Sequence, residues 1–212
     1  MHSISFRRGI LMTSMAAVLA MAARAQTDVA ASLYGAFTGT TTANNTQQSP
    51  SNSAGGLVEA RHIRNPLIGY EGTYSYNRAN QAYSYAGAIP ATGGCPVIFC
   101  APNPTTVSAN AHEITGDWIA SLRLANLRPF ALAGVGVIFD VPVSSSAGAT
   151  STTTKPVYVY GGGVDWGLLP HLGLRFQYRG NLYEAPNLSK LFTSVDAFTH
   201  TAEPMIGVYF QL

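Results

Sequence analysis

Charge is scarce in this chain. Of its 212 residues only 10% are Asp, Glu, Lys or Arg, far below the roughly 25% of soluble globular domains. Hydrophobic content is an ordinary 47%, so Gly, Ser, Thr, Asn and Tyr have taken the place of the missing charge. No uninterrupted apolar run reaches the roughly 18 residues that a transmembrane helix needs. Cysteine is almost absent too, with only Cys95 and Cys100 in the whole chain. A zinc site would need further ligands, and none lie between positions 90 and 110. There is no phosphate-binding glycine loop, and the loops hold too few Lys and Arg for a nucleic-acid surface. Nothing here implies a cofactor, a metal or a nucleic-acid partner. The length fits one domain, or at most two small ones.

The first 25 residues stand apart. Arg7 and Arg8 precede an apolar stretch over 10–22, and Ala23-Arg24-Ala25 offers a small-x-small cleavage pattern. This is the layout of a secretory signal peptide over 1–25, leaving a mature domain over 26–212. Cleavage removes three of the 12 basic residues and none of the ten acidic ones, leaving nine against ten, a net −1. The nominal basicity of the full chain therefore carries no functional message. In an exported chain, Cys95 and Cys100, four residues apart in a Pro/Gly-rich stretch, are expected to close a small disulfide loop.

What remains is organised by alternation. Over 158–179, Tyr158, Tyr160, Val164 and Trp166 share one parity and Asp165 takes the other. After a break at Leu169, Pro170 and His171, Leu172, Leu174, Phe176 and Tyr178 oppose Arg175, Gln177 and Arg179. Period two marks a strand with two distinct faces. Here the apolar face is unusually aromatic and the polar face is ionic, as expected of a sheet whose outside meets lipid and whose inside is polar. The same pattern sets Tyr70, Tyr74 and Tyr76 against Glu71, and Trp118 against Glu113 and Asp117.

Eight such strands can be read: near 29–38, 56–64, 67–83, 112–123, 130–140, 158–168, 172–179 and 199–212. The facing of the first and fifth cannot be read from pattern. Long polar connections near 40–55, 86–110, 143–154 and 186–198 alternate with tight ones at 65–66, 124–127 and 169–171. The first long connection reads as a solvated loop too poor in apolar residues to order itself. Long loops on one side, short turns on the other and an even strand number are the pattern of an outer-membrane barrel. The fold expected is all-β, an eight-stranded antiparallel up-and-down transmembrane β-barrel.

The Gly161–Trp166 run G-G-G-V-D-W, followed by L-G-L-R-F-Q-Y-R over 172–179, resembles the penultimate hairpin of the OmpA-type eight-stranded outer-membrane β-barrel domain family. The last strand, with Ile206, Val208, Phe210 and Leu212 on one parity, resembles the assembly signal of outer-membrane proteins. An aromatic usually ends that signal; Leu212 ends it here. The resemblance implies a Gram-negative cell envelope location and recognition by the barrel-assembly machinery. It implies no single activity, since the family includes anchors and adhesins.

At eight strands a barrel interior is just filled by side chains. The interior ionic set expected from parity is Glu71, Glu113, Asp117, Asp165, Arg175, Arg179 and Glu203, with Gln177 beside it. Asp165 should pair with Arg175 across the turn, and Arg179 or Arg123 with a nearby acid. The lipid-facing aromatics expected are Tyr70, Tyr74, Trp118, Tyr158, Tyr160, Trp166, Phe176, Tyr178 and Phe210. Gly161, Gly162 and Gly163 allow curvature or close packing, and Pro204 suggests a bulge. The functional expectation is a monomeric structural or surface-interacting barrel, adhesin-like or anchor-like, plugged inside, with loops free for a surface ligand. A narrow porin or transporter of small or hydrophobic molecules is the alternative. An outer-membrane lipid hydrolase is the second, on Ser194, His200 and Glu203, although His200 and Glu203 fall on opposite faces.

Overall fold

In a computed structural model, residues 26–64, 67–86 and 104–212 are described. The expected signal peptide and the Cys95–Cys100 disulfide lie outside the described residues. The described chain forms strands β1 (Gln26–Thr38), β2 (Thr41–Ala43), β3 (Thr46–Pro50), β4 (Ser53–Ile63), β5 (Ile68–Tyr85), β6 (Thr105–Ser121), β7 (Leu127–Ser145), β8 (Thr153–Leu169), β9 (Leu172–Glu184) and β10 (Phe198–Gln211). All pair antiparallel. Eight of them close a barrel in the order β1-β4-β5-β6-β7-β8-β9-β10, with β10 returning to β1. Closure leaves no free edge in the eight-stranded wall, which hydrocarbon would not tolerate.

The solvated loop expected over 40–55 is instead ordered. β2 and β3 form a hairpin turned at Asn44 and Asn45, both at positive φ, as a two-residue primed turn requires. β3 then continues along the upper part of β5, Thr46 opposite Tyr85 and Pro50 opposite Gln81. The register slips by one residue before β4 resumes with Gly55 opposite Asn77. Backbone pairing along an existing edge replaced the apolar surface that the segment lacks. The same reason extends the other strands: β6 begins at Thr105 and β7 runs to Ser145, so the loops are shorter than polar composition suggests. The bulge expected at Pro204 is absent. Pairing between β9 and β10 keeps one register through Pro204. The β1–β10 ladder lapses opposite Glu203 and Pro204 and resumes unshifted at Ala202, so the missing N–H is absorbed without an extra residue.

Facing follows from closure. On β1 the inner residues include Asp28, Ala30, Ser32, Tyr34 and Ala36; on β7 they include Arg128, Phe130, Leu132, Ile138 and Asp140. The outer wall carries every aromatic expected there, from Tyr178 at 40% exposed to Trp118 at 72%. Inside, Phe130, Leu132, Ile138, Val157, Val159 and Tyr183 form an apolar patch on β7, β8 and β9.

Residues 185–197 fold over the mouth opposite the chain ends. Leu188 and Phe192 are buried against Tyr83, Val107 and Ala109. The Tyr83 hydroxyl donates to the Pro186 carbonyl at 2.6 Å and accepts from the Leu188 amide at 3.0 Å. Leu188 also accepts from the Ser151 amide, and Lys190 donates to Ala149. The Asn44 side chain ties the β2–β3 hairpin to the Ser194 carbonyl.

Candidate functional site

Chemistry concentrates in the lumen. Eight of the ten acidic residues point inward: Asp28, Glu59, Glu71, Glu113, Asp117, Asp140, Asp165 and Glu203. So do four arginines, Arg61, Arg128, Arg175 and Arg179. Carboxylates therefore outnumber guanidinium groups two to one.

Strand register arranges these groups as two strips. On one wall Asp28, Arg61, Glu71 and Asp117 are successive partners across β1, β4, β5 and β6. On the other Arg128, Asp165 and Arg175 are successive partners across β7, β8 and β9. The strips face each other and are stapled across the lumen. Arg61 reaches Asp165 at 3.2 Å and Glu71 at 2.8 Å. Arg128 reaches Asp28 at 2.6 Å, and Arg175 reaches Asp28 at 3.0 Å and also Glu59.

Asp165 is the hub. Its Oδ1 accepts from Arg175 Nε at 2.6 Å, and its Oδ2 accepts from Arg61, Arg128 and Arg175. Aromatic rings also pack against the arginines: Arg61 lies 4.1 Å from the centre of Phe130, and Arg175 5.4 Å from that of Tyr209. Ions removed from water are costly, and such a layer persists only where each charge keeps partners on several sides. This layer meets that demand and fills the half of the barrel nearer the chain ends.

Above it Arg179 reaches Asp117 at 2.9 Å, Glu71 at 3.6 Å and Glu113 at 3.8 Å, and donates to the Thr115 hydroxyl at 3.0 Å. Arg179, not Arg123, takes the second pairing. Its strand partner on β10 is Glu203, yet its guanidinium turns to the opposite wall, and no ion pair forms with Glu203. The structure thus gathers Glu71, Asp117, Asp165, Arg175 and Arg179 into one network. Glu113 is at its edge and Glu203 is apart from it.

Asp28, Glu59, Arg61, Arg128 and Asp140 belong to the lumen and were missing from the sequence-derived set. Glu59 and Arg61 had a readable signal, alternating with Val58 and Ala60. Asp28 and Arg128 fell just outside the expected strand limits, and Asp140 closes a strand whose faces alternation does not distinguish.

The hydrolase triad does not assemble. His200 Nε2 lies 3.0 Å from the Tyr160 hydroxyl on the outer wall, Glu203 is inside, and the Ser194 hydroxyl donates to Asp196. Nor does the β1–β10 seam gape: pairing runs from Asp28–Gln211 to Thr38–Thr201. The apolar patch on β7 is packed, with Arg61 lying over Phe130.

A closed, even-numbered antiparallel barrel, aromatic without and ionic within, defines a small transmembrane β-barrel of the bacterial outer membrane. The chain belongs to the outer membrane protein beta-barrel domain family, whose model matches residues 9–201. Solved structures with the same fold include Ail, the attachment invasion locus protein of Yersinia pestis, at 12% identity and TM-score 0.51, covering 89% of this chain and 99% of that one. Neisserial surface protein A is similar at 14% identity and TM-score 0.51, with the same coverage. OprG of Pseudomonas aeruginosa is similar at 8% identity and TM-score 0.53, covering 88% and 96%. No curated protein sequence matches the chain.

Proposed function

We propose that this barrel is a monomeric surface-interacting or anchoring protein, exported by its signal peptide and delivered by the barrel-assembly machinery, with chemistry offered outside rather than through the lumen. The observation that carries the reading is double closure. The Asp165 layer fills the inner half of the lumen, and the 185–197 segment lies across the outer mouth. The β1–β10 seam, paired at both ends and in one register across its short lapse, weighs against a lateral exit for hydrophobic compounds.

The surface that would meet a partner is nearly uncharged. Segments 39–52, 86–104, 146–152 and 185–197 contain Lys190 and Asp196 as their only ionic residues. Ail has been solved with a heparin analogue, sucrose octasulfate. These segments lack the clustered cations that a polysulfated ligand needs. Neutral Thr, Asn, Gln and Ser, with Leu191 exposed on the cap, suit an uncharged glycan or the backbone of a protein partner.

Two measurements on the purified protein test the reading. In planar bilayers no steady conductance should appear, and a large stable current would overturn the plugged lumen. On arrays of host proteins and glycans, binding should depend on the outer segments. Retention should be unchanged by salt and lost when residues 39–52 are replaced by a Gly/Ser turn. Binding confined to sulfated glycans would refute the neutral-surface reading.

A further inference from the structure

The short turns mark the periplasmic end of the barrel. A cavity of about 340 Å³ opens there between the β6–β7 connection and the β8–β9 turn, and Arg123, Asn126, Leu169, Leu172, Tyr209 and Gln211 are among its walls. A narrower recess of about 40 Å³ shares Arg123, Asn126, Tyr209 and Gln211 with it and leads inward to Arg128. Backbone bonds tie these walls together. The Gly167 amide donates to the Asn126 carbonyl, and the Gln211 amide to the His171 carbonyl, each at 2.8 Å.

The charge on these walls is of one sign. No Asp or Glu lines either space. Arg123 is exposed, and among the described residues it has no ionic partner. The wider rim agrees. The two acidic residues outside the lumen, Glu184 and Asp196, are at the opposite end, whereas Arg64 stands on the same rim as Arg123.

Arg128 adds an acceptor that is missing. It is 8% exposed. Its Nε and Nη2 are taken up by Asp165 and Asp28, while its Nη1 is buried with no hydrogen-bond partner. A buried guanidinium nitrogen in that state has lost its hydration without replacement. The recess is where an acceptor can reach it, and its size admits one water or one oxygen of an anion.

Two guanidinium groups at a cavity free of carboxylates suit a phosphate, whose oxygens accept the paired N–H donors of arginine. The lip of the cavity favours a phosphate carried on a lipid. Leu168, Leu169 and Leu172 are exposed along it, continuous with the lipid-facing wall of β8 and β9. A free phosphate would gain nothing from them. With no carboxylate to receive an ammonium group, an anionic head group fits better than an amine-bearing one.

We propose that this cavity binds one anionic phospholipid of the periplasmic leaflet, of the phosphatidylglycerol type. Its phosphate meets Arg123, and one of its oxygens, directly or through a water in the recess, meets Arg128 Nη1. Asn126 and Gln211 are the polar partners available to the glycerol hydroxyls, and the acyl chains run over the leucines into the bilayer.

The test uses the full mature protein, delipidated in neutral detergent and given one lipid at a time, with bound lipid counted by native mass spectrometry. One phosphatidylglycerol should be retained several-fold more strongly than phosphatidylethanolamine. Arg123→Gln should erase that preference. Arg64→Gln, on the same rim but outside the cavity, should keep it. Each variant is first shown to be folded by its heat-modifiable gel shift. Should Arg123→Gln fail there, the unaltered protein gives a second readout. Dihexanoyl phosphatidylglycerol should raise its urea unfolding midpoint with the logarithm of lipid concentration, and the ethanolamine lipid of equal chain length should not. Equal retention of the two lipids would overturn the inference, since the contact would then be general to the bilayer. Equal loss in Arg64→Gln and Arg123→Gln would overturn it too, since the attraction would belong to the whole rim. Displacement of the lipid by an equal concentration of glycerol phosphate or inorganic phosphate would overturn the assignment to a lipid.

Discussion

Arg175 Nε lies 2.6 Å from Asp165 Oδ1, and the two residues are register partners on β8 and β9 across the turn at Pro170 and His171. The short turn makes the two strands neighbours, and a one-residue register shift between Gly167 and Leu169 sets Asp165 opposite Arg175. The adjacent strand β7 adds Arg128 to the same carboxylate, and closure of the barrel brings Arg61 to it from the far wall.

Replacing Asp165 by Asn therefore leaves three buried guanidinium groups around a neutral amide. Removing one partner of a buried ionic cluster costs on the order of 3–5 kcal/mol. Glu59, Glu71 and Asp28 retain part of the charge balance, so the lower figure is expected for D165N in urea unfolding. A midpoint equal to that of the unaltered protein would show that the layer does not hold the barrel together.

The cap makes a separate prediction. Phe192 stacks on Tyr83 with ring centres 6.0 Å apart, and Phe192→Ser removes that contact and most of the local apolar burial. A cysteine placed at Asn77, which lines a small cavity inside the barrel, should react with a water-soluble maleimide several-fold faster in the Phe192→Ser background, after both native cysteines are replaced by serine. Equal rates in the two backgrounds would mean that 185–197 does not guard the mouth.

Two glycines on opposite faces should behave oppositely. A Cβ at Gly163 would run into the Phe176 carbonyl oxygen and come within 2.9 Å of the Phe130 ring, whereas one at Gly116 meets nothing within 4 Å on the outer wall. Gly116→Leu should give the heat-modifiable gel shift of a folded barrel. Gly163→Leu should abolish it, since overpacking a filled lumen displaces backbone.

The two tryptophans, Trp118 and Trp166, are both on the outer wall. Fluorescence should be quenched by brominated acyl chains when the protein is reconstituted, and little by aqueous iodide. Quenching by iodide alone would contradict contact between this wall and lipid.

How much of this could be read from the residues differs from face to face. Around Asp165 the alternation is clean, because Tyr158 to Tyr178 place aromatics and ions on strictly opposite parities, although the one-residue shift between Gly167 and Leu169 that sets the exact register leaves no mark in that pattern. Around Phe130 it fails, because Ala131, Ala133, Val135 and Val137 outside resemble Leu132, Gly134 and Ile138 inside. Lipid and a packed lumen select the same residue types. The β2–β3 hairpin was hidden for another reason. Thr and Gln order there by backbone pairing to β5, which leaves no hydrophobic period.

By itself the sequence determined the element type, the eight strands of the wall and, on the strands that alternate cleanly, the side each aromatic or charged residue occupies, since these follow from period-two patterning and from where polar runs interrupt it. Only the tertiary structure decided which charges meet. Contacts across the lumen depend on the stagger with which β10 closes onto β1, a property of the whole ring. That stagger sends Arg179 past its strand neighbour Glu203 to Asp117 on the far wall.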